Sequence, residues 1–158
     1  MQFRLARPEE ASVVYALYRS VIGTPFCTWN EVYPGLPEIE ADLWAGGLFV
    51  LAEGERIIGA LSVVPENELD HLPGWTVRAG AREIGRVVTR LDVRGRGLAG
   101  LMVERIADRL RAGGCSALHL SVAEVNLPAR KTYEALGFQT VAQVPLYGGT
   151  YLLMEKIL

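Results

Sequence analysis

Hydrophobic residues along this chain follow two spacings, one typical of strands and one typical of helices. Two apolar runs, residues 48–52 and 57–64, flank a short glycine-containing turn and predict a β-hairpin. After Pro8, apolar residues recur every three to four positions, which predicts a first helix. The same patterns predict further strands at residues 3–6, 82–89, 117–122, 138–144 and 150–157. They predict further helices at residues 39–44, from residue 96 to the glycine pair at 113–114, and at 128–136. This order of elements predicts a mixed α/β (α+β) fold in which helices are interleaved with strands.

We expect these elements to form one domain that spans residues 1–158. A chain of 158 residues, half of them hydrophobic, suffices for a single sizeable core. Neither internal repeats nor linker-like Gly/Ser stretches interrupt the pattern. The proline-containing stretches 22–37 and 65–80 are predicted to be loops.

Composition and charge argue against several classes of function. The formal net charge is −2, whereas a protein that mainly binds nucleic acid usually has a clear basic excess. Cys27 and Cys115 belong to no CxxC pair or Cys/His cluster, so no metal site is predicted. The N-terminus lacks the apolar stretch of a signal peptide, and no run approaches the ~20 apolar residues of a membrane span. We therefore expect a cytoplasmic protein that binds neither nucleic acid nor membrane.

The most informative segment is a glycine-rich turn at residues 94–100, Arg-Gly-Arg-Gly-Leu-Ala-Gly, between a predicted strand and a predicted helix. Glycine lets the backbone approach a ligand closely, and the first turn of a helix has unpaired N–H groups and a partial positive charge. Together these features predict a pocket for a phosphate or pyrophosphate. A tight turn that binds nothing is the alternative.

The residues of the turn leave open which anion it binds. Gly95, Gly97 and Gly100 spell the dinucleotide fingerprint G-x-G-x-x-G, and Glu124 lies near the expected position of a ribose-binding acid. However, about three predicted strands precede this motif, whereas a dinucleotide fold has the fingerprint after its first strand. Hydride transfer on a nicotinamide is therefore the less favoured hypothesis.

Two blocks of the sequence together resemble the GNAT superfamily of acyl-CoA-dependent N-acetyltransferases. Residues 94–99, Arg-Gly-Arg-Gly-Leu-Ala, look like the pyrophosphate signature of that family, Arg/Gln-x-x-Gly-x-Gly/Ala. Residues 126–138, Asn-Leu-Pro-Ala-Arg-Lys-Thr-Tyr-Glu-Ala-Leu-Gly-Phe, resemble its second block. One predicted helix and one predicted strand separate the blocks, as in the family. The resemblance is good over residues 81–138 and loose over residues 9–47 and 65–80.

The resemblance implies both a fold and a cofactor. The GNAT fold has a mixed, mostly antiparallel central sheet of about seven strands, splayed at an acetyl-CoA cleft, with about four helices. The implied co-substrate is acetyl-CoA, and no metal is implied. The residues implied to bind acetyl-CoA are Val87, Val88, Thr89, Arg94, Gly95, Arg96, Gly97, Leu98, Ala99, Gly100 and Asn126. A backbone N–H near Val88 or Thr89 is the candidate donor to the oxygen of the transferred acetyl group.

The resemblance also suggests two catalytic residues. Tyr133 matches the position that protonates the departing thiolate in many relatives, and a phenol of pKa ~10 can be a general acid. A tyrosine that only packs on the core is the alternative. Glu83 lies at the spacing before Arg94 where some relatives have their glutamate base, and strand alternation puts Glu83, Gly85 and Val87 on one face. An ordinary solvated carboxylate, with water chains serving as the base, is the alternative for Glu83.

The acceptor is less defined than the cofactor. Trp29 and Tyr33 lie in a loop that lines the acceptor pocket in relatives, or else they pack under that loop. His119 is expected to be a satisfied core or cleft-edge histidine and not a base. We predict direct transfer of the acetyl group to a primary amine of a small molecule. A protein N-terminus or lysine as acceptor, and a non-catalytic acyl-CoA-binding module, are the alternatives. Relatives often form homodimers, and residues 151–154 are the candidate for such a contact.

Overall fold

The computed structural model describes residues 1–64 and 67–158, and these form seven β-strands and four α-helices. The strands are β1 (Gln2–Leu5), β2 (Leu48–Glu53), β3 (Arg56–Val63), β4 (Ala81–Thr89), β5 (Ala117–Ala123), β6 (Gln139–Leu146) and β7 (Gly149–Ile157). The helices are α1 (Ala11–Ser20), α2 (Leu36–Trp44), α3 (Leu98–Ala112) and α4 (Leu127–Ala135). The predicted order of strands and helices is confirmed. Of the predicted loop 65–80, positions 65 and 66 lie outside the described residues.

All seven strands belong to one sheet, in the order β1-β2-β3-β4-β5-β7-β6. Every neighbouring pair is antiparallel except β4 and β5, which are parallel. The predicted mixed, mostly antiparallel sheet is therefore confirmed. Because β7 lies between β5 and β6, Leu152, Leu153 and Met154 are buried within this sheet and are not available for contact between subunits.

The helices cover the two faces of the sheet unequally. On one face, α3 and α4 bury the largest core cluster, which includes Ile58, Ile84, Met102 and Leu118. On the other face, α1 and α2 cover only the half formed by β2, β3 and β4. The other half of that face is covered by residues 67–80, the described part of the β3–β4 connection, which we call the strap.

A bulge interrupts β4 near its middle. Gly85 pairs with Ser62 of β3 but Val88 pairs with Ala60, and Arg86 has a positive φ of 49°. The bulge shifts the alternation of side chains, so Val87 packs in the same core cluster as Ile84, on the opposite face from Glu83. The expectation that Glu83, Gly85 and Val87 share one face is therefore wrong for Val87, which lies on the opposite face of the sheet.

The bulge is anchored by a buried ion pair. The Arg86 guanidinium donates to Asp42 of α2, with Nη2–Oδ1 at 2.8 Å and Nε–Oδ2 at 3.2 Å. The same carboxylate accepts a hydrogen bond from Ser62 Oγ at 2.6 Å. Burial alone lowers the pKa of Arg86, but Asp42 and Tyr33 outweigh it and raise that pKa above its ordinary value. Arg86 therefore stays charged, and the pair ties α2 to β4.

We expect Asp42→Ala to destabilise the fold by about 3–5 kcal/mol, because it leaves the Arg86 charge buried without its partner. Asp108→Ala is the matched control, since it removes an exposed ion pair with Arg111 and is expected to cost no more than about 0.5 kcal/mol. Urea denaturation measures both free energies of unfolding. Equal losses for the two variants would contradict the anchoring role of Asp42.

Candidate active site

The sheet opens where β4 and β5 part. These strands are paired only from Ala81–Glu83 on β4 to Ala117–His119 on β5. β4 continues to Thr89 and β5 to Ala123, and no ladder pairs join these later residues within the described parts of the chain. The strands therefore form a wedge, the splayed cleft that the sequence predicted.

The end of β4 forms one wall of this wedge. Val88 and Thr89 pair with Ala60 and Gly59 of β3, so β3 occupies one edge of this segment. The Arg90 N–H donates to Ile58 O of β3 at 2.9 Å, so Val88, two residues earlier, also turns its backbone groups towards β3. Val87 and Thr89 turn theirs to the opposite edge and thus offer hydrogen-bonding groups to an extended ligand in the wedge.

The glycine-rich turn lies after β4, at the N-terminus of α3. Gly95 and Gly97 have φ values of 82° and 71°, a left-handed conformation that glycine adopts without strain. The Leu101 N–H donates to Gly97 O at 3.0 Å as the first bond of α3, so the preceding amides have no acceptor within the helix. A Cβ atom built on Gly95 or Gly97 would meet nothing within 4 Å. Open space before unpaired amides is a cradle that fits a pyrophosphate.

The two arginines of the turn differ in their surroundings. Arg94 is exposed, whereas Arg96 Nη2 donates to Glu53 Oε2 of β2 at 2.9 Å. The hydrogen bond from Arg96 lowers the pKa of the Glu53 carboxyl group below its ordinary value. Because Glu53 balances the charge of Arg96, backbone amides are the main anion donors that the turn offers.

Asn126 begins α4, directly after β5. Its side-chain oxygen accepts the Ala129 N–H at 3.3 Å, as a helix N-cap does. The side-chain NH₂ group of Asn126 keeps its capacity to donate. The role of Asn126 in holding a pantetheine arm stays a prediction.

Tyr133 lies on α4 and is partly buried. Its ring packs against the α3/α4 core and meets Phe138 edge-on, with ring centroids 5.7 Å apart. Burial raises the pKa of Tyr133 to about 12. The phenol therefore keeps its proton at neutral pH, which a general acid requires. Val87 packs against the same core, on the face of the sheet that Tyr133 covers.

Glu83 occupies the last paired position of β4 before the strands part, and its side chain is buried. Its carboxylate accepts the Leu69 N–H of the strap at 3.1 Å. Burial raises the pKa of Glu83 to about 7, and Glu68 adds to this rise, while Leu69 N–H and Arg86 oppose it. Glu83 is thus not an ordinary solvated carboxylate, and a carboxyl group with a pKa near 7 is suited to accept a proton at neutral pH.

Charged and titratable side chains from several elements are coupled electrostatically to Glu83 or to Arg86 near it. The pKa of Tyr147, in the β6–β7 turn, is raised by partial burial and then by the charges of Tyr33, Glu83 and Glu68. Tyr33 Oη also accepts a hydrogen bond from Arg86 Nη1 at 3.1 Å. Glu68 and Tyr147 were missed by sequence reasoning, although a tyrosine followed by two glycines is a turn signal that could have found Tyr147.

The other expected site residues lie deeper in the protein. Trp29 is half-buried and meets the ring of Tyr18 edge-on at 5.3 Å, so it packs in the α1/α2 core. His119 is buried and bonded to Glu155 at 2.8 Å, which confirms the expectation of a satisfied core histidine. Among the described residues, no group of three or more His, Cys, Asp or Glu side chains is placed to hold a metal ion. None of the helices in residues 1–64 and 67–158 is long and apolar enough to cross a membrane.

The chain belongs to the GNAT family of acetyltransferases, since the model of that family matches residues 14–138. An acetyltransferase of Pectobacterium atrosepticum is 40% identical over 55 residues, which are 35% of this chain and 39% of that relative's length. The match therefore spans less than half of this curated relative.

Solved structures with the same fold cover nearly the whole chain. A GNAT-family acetyltransferase from Streptococcus agalactiae has a TM-score of 0.82 and 23% identity, over 99% of this chain and 94% of that one. A protein from Salmonella typhimurium, solved with its cofactor acetyl-CoA, has a TM-score of 0.74 and 20% identity, over 99% and 93%. A ribosomal-protein-alanine N-acetyltransferase from Brucella melitensis has a TM-score of 0.78 and 18% identity, over 100% of both chains. The predicted family and fold are thereby confirmed.

We expect Glu83→Gln to be more stable than the native protein at pH 8, with the difference shrinking below pH 5. Because folding raises the pKa of this carboxyl group from 4.5 to about 7, ionisation of Glu83 destabilises the folded protein as pH rises through that window. The free energy of unfolding falls by up to about 3 kcal/mol. The glutamine keeps an acceptor for Leu69 N–H and has no charge to bury. Urea denaturation at pH 4 and pH 8 measures the difference.

Glu10→Gln is the control of opposite sign for that experiment. Its hydrogen bond with Arg4 lowers the pKa of Glu10, so its stabilisation is present at neutral pH and is lost in acid. The Glu10→Gln variant should be less stable than the native protein at pH 8. A Glu83→Gln difference that does not change with pH would contradict the raised pKa.

Proposed function

We propose that this protein transfers the acetyl group of acetyl-CoA directly to a primary amine, and that the amine belongs to a small molecule. The observation that carries the proposal is the position of Glu83 at the point where β4 and β5 part. A proton acceptor there lies beside the wedge, while the anion cradle at residues 94–100 lies beyond the far end of β4.

The residues that would hold acetyl-CoA follow from the two walls and the turn. The amides from Gly95 to Gly100 would hold the pyrophosphate, and the free edge of Val87–Thr89 would pair with the pantetheine arm. Acetyl-CoA supplies an acetyl group activated as a thioester. Of the two expected donors, Val88 turns its N–H towards β3, so the Thr89 N–H would donate to the acetyl oxygen, where negative charge develops during transfer.

Proton transfer would involve two residues on opposite faces of the sheet. Glu83 accepts a proton from the incoming ammonium group, which frees the nitrogen lone pair to bond to the acetyl carbon. Tyr133 would donate its phenolic proton to the sulfur as the carbon–sulfur bond breaks, and the second proton that the nitrogen loses on becoming an amide would return to Tyr133 through water. Glu83 and Val87 lie on opposite faces of the sheet, and Tyr133 covers the face of Val87. This placement supports separate roles for Glu83 as the base and Tyr133 as the acid.

A small acceptor is supported by the crowding around Glu83. The Glu83 side chain is buried, the strap donates its Leu69 N–H to the carboxylate, and the nearby Arg86 guanidinium also binds Tyr33. A protein N-terminus remains the second candidate acceptor, because the chain matches the Brucella ribosomal-protein-alanine N-acetyltransferase along its whole length. Thiol release from acetyl-CoA, measured with a panel of small amines and a panel of N-terminal peptides, separates the two acceptors.

We expect Gly97→Glu to weaken acetyl-CoA binding at least about tenfold, a loss of ~1.4 kcal/mol, because it puts a carboxylate into the anion cradle. Gly114→Glu is the matched control, since Gly114 also has positive φ and open space but lies at the other end of α3. Both variants carry the same backbone strain and added charge. Calorimetric titration measures the affinities, and equal losses would place the pyrophosphate elsewhere.

We expect Tyr133→Phe to lower kcat by roughly a hundredfold and to leave acetyl-CoA affinity nearly unchanged, because only the proton donor is lost. Tyr15→Phe, on α1, removes a hydroxyl group on the opposite face of the sheet from Tyr133 and should leave kcat unchanged. Steady-state kinetics with the best amine from the panel measures kcat. An unchanged kcat in Tyr133→Phe would assign the protonation of sulfur to water.

A further inference from the structure

The strap is packed tightly against the sheet. Leu69 and Trp75 form a small core with Val144 of β6 and Leu153 of β7. A Cβ atom on Gly74 would lie 2.6 Å from the carbonyl oxygen of Val141, so the strap backbone directly contacts β6. The strap is therefore a fixed part of the sheet surface along its described length.

A buried carboxylate on β7 holds the middle of the strap. Glu155 Oε2 accepts the backbone N–H groups of Thr76 and Val77, both at 3.1 Å. The Thr76 hydroxyl donates to Oε1, and His119 Nε2 lies 2.8 Å from Oε2. Burial alone raises the pKa of Glu155, but these hydrogen bonds outweigh it and lower that pKa below its ordinary value. Glu155 therefore holds the strap as an anion.

A series of direct contacts leads from this carboxylate to Glu83. The His119 ring stacks on Trp75, with centroids 3.8 Å apart and planes 8° from parallel. Trp75 Nε1 donates to the Leu69 carbonyl oxygen at 2.9 Å, and the Leu69 N–H donates to Glu83. At the start of the strap, Asn67 Oδ1 accepts the Glu83 N–H at 3.0 Å.

We propose that Trp75, His119 and Glu155 are positioning residues, which lock the strap over β4 so that it shields the Glu83 carboxyl group from water and directs the Leu69 N–H towards it. None of the three would touch the reacting atoms. Their importance for catalysis rests on the proposed function, in which Glu83 is the base. The shielding of Glu83 does not depend on that function.

The charged and titratable groups around Glu83 show why shielding matters. They are Glu68 on the strap, Arg86 on β4, His119 on β5 and Tyr147 in the β6–β7 turn. Arg86 favours the carboxylate, but Asp42 is bound to the same guanidinium. Glu68 opposes Arg86, so burial under the strap is the largest influence on Glu83.

Release of the strap should therefore return Glu83 towards an ordinary carboxyl group. Water would reach the carboxylate and stabilise its charged form more than the lost Leu69 N–H bond destabilises it. Glu83 would then be ionised at lower pH but would be a weaker base. Both consequences are measurable.

The test is a titration of Glu83 by NMR in protein labelled with ¹³C at the glutamate carboxyl groups, with Glu83→Gln identifying the signal. We compare the native protein with Trp75→Phe, which keeps an aromatic ring on His119 but loses the donor to Leu69. Glu155→Gln removes the charge that holds the strap, and Glu10→Gln is the control for loss of a distant ion pair. Should Glu155→Gln fail to fold, Trp75→Phe carries the test.

The expected result is a Glu83 pKa near 7 in the native protein and in Glu10→Gln, and a value about one unit lower or more in Trp75→Phe and Glu155→Gln. The acidic limb of the kcat/KM profile should move by the same amount. An unchanged Glu83 pKa in folded Trp75→Phe and Glu155→Gln would overturn the inference. Failure of the proposed function is recognised separately, because Glu83→Gln would then keep full acetyltransferase activity.

Discussion

The architecture of this protein depends on how briefly β4 and β5 are paired. Three residue pairs join them before they part, and each strand then keeps an outer partner, β3 for β4 and β7 for β5. The outer pairings hold both strands in place, so the wedge does not close. The lower edge of the wedge is fixed by Glu83 and His119, the last pair. A ligand that enters between the strands would meet backbone groups on one side and the start of α4 on the other.

Burying charged groups beside such a wedge has consequences that differ from one group to the next. Asp42 is matched by a guanidinium and a hydroxyl group, and Glu155 by two amides, a hydroxyl group and a histidine. Both carboxylates act as anchors, and the donors around Glu155 lower its pKa below the ordinary value. Glu83 is buried as well but relies on backbone N–H groups of the strap, so its pKa rises to about 7. Similar burial thus accompanies two carboxylates that anchor the fold and one, Glu83, whose pKa is raised, and the number of hydrogen-bond donors contributes to this difference.

The sequence was sufficient for the order of elements and for the glycine-rich turn before α3, because both depend on local patterns. Hydrophobic periodicity located the strands and helices. The glycines at 95 and 97 indicated a turn, and both adopt the positive φ values that favour glycine. The sequence patterns did not predict contacts between residues that are far apart along the chain. The Asp42–Arg86 pair joins positions 44 apart, and Thr76 and Glu155 are separated by 79 positions. The strap also has no periodic pattern that would predict its packing against the sheet, so the burial of Glu83 could not be predicted.

We propose that the gap between β4 and β5 receives the reactive end of acetyl-CoA, and a crystal structure of the protein with CoA tests this. We expect the pyrophosphate within hydrogen-bond distance of the amides of residues 95–100. We expect the pantetheine arm alongside residues 87–89, with its sulfur end in the wedge. CoA bound elsewhere on the surface, or a sheet in which β4 and β5 pair along their whole length, would contradict it.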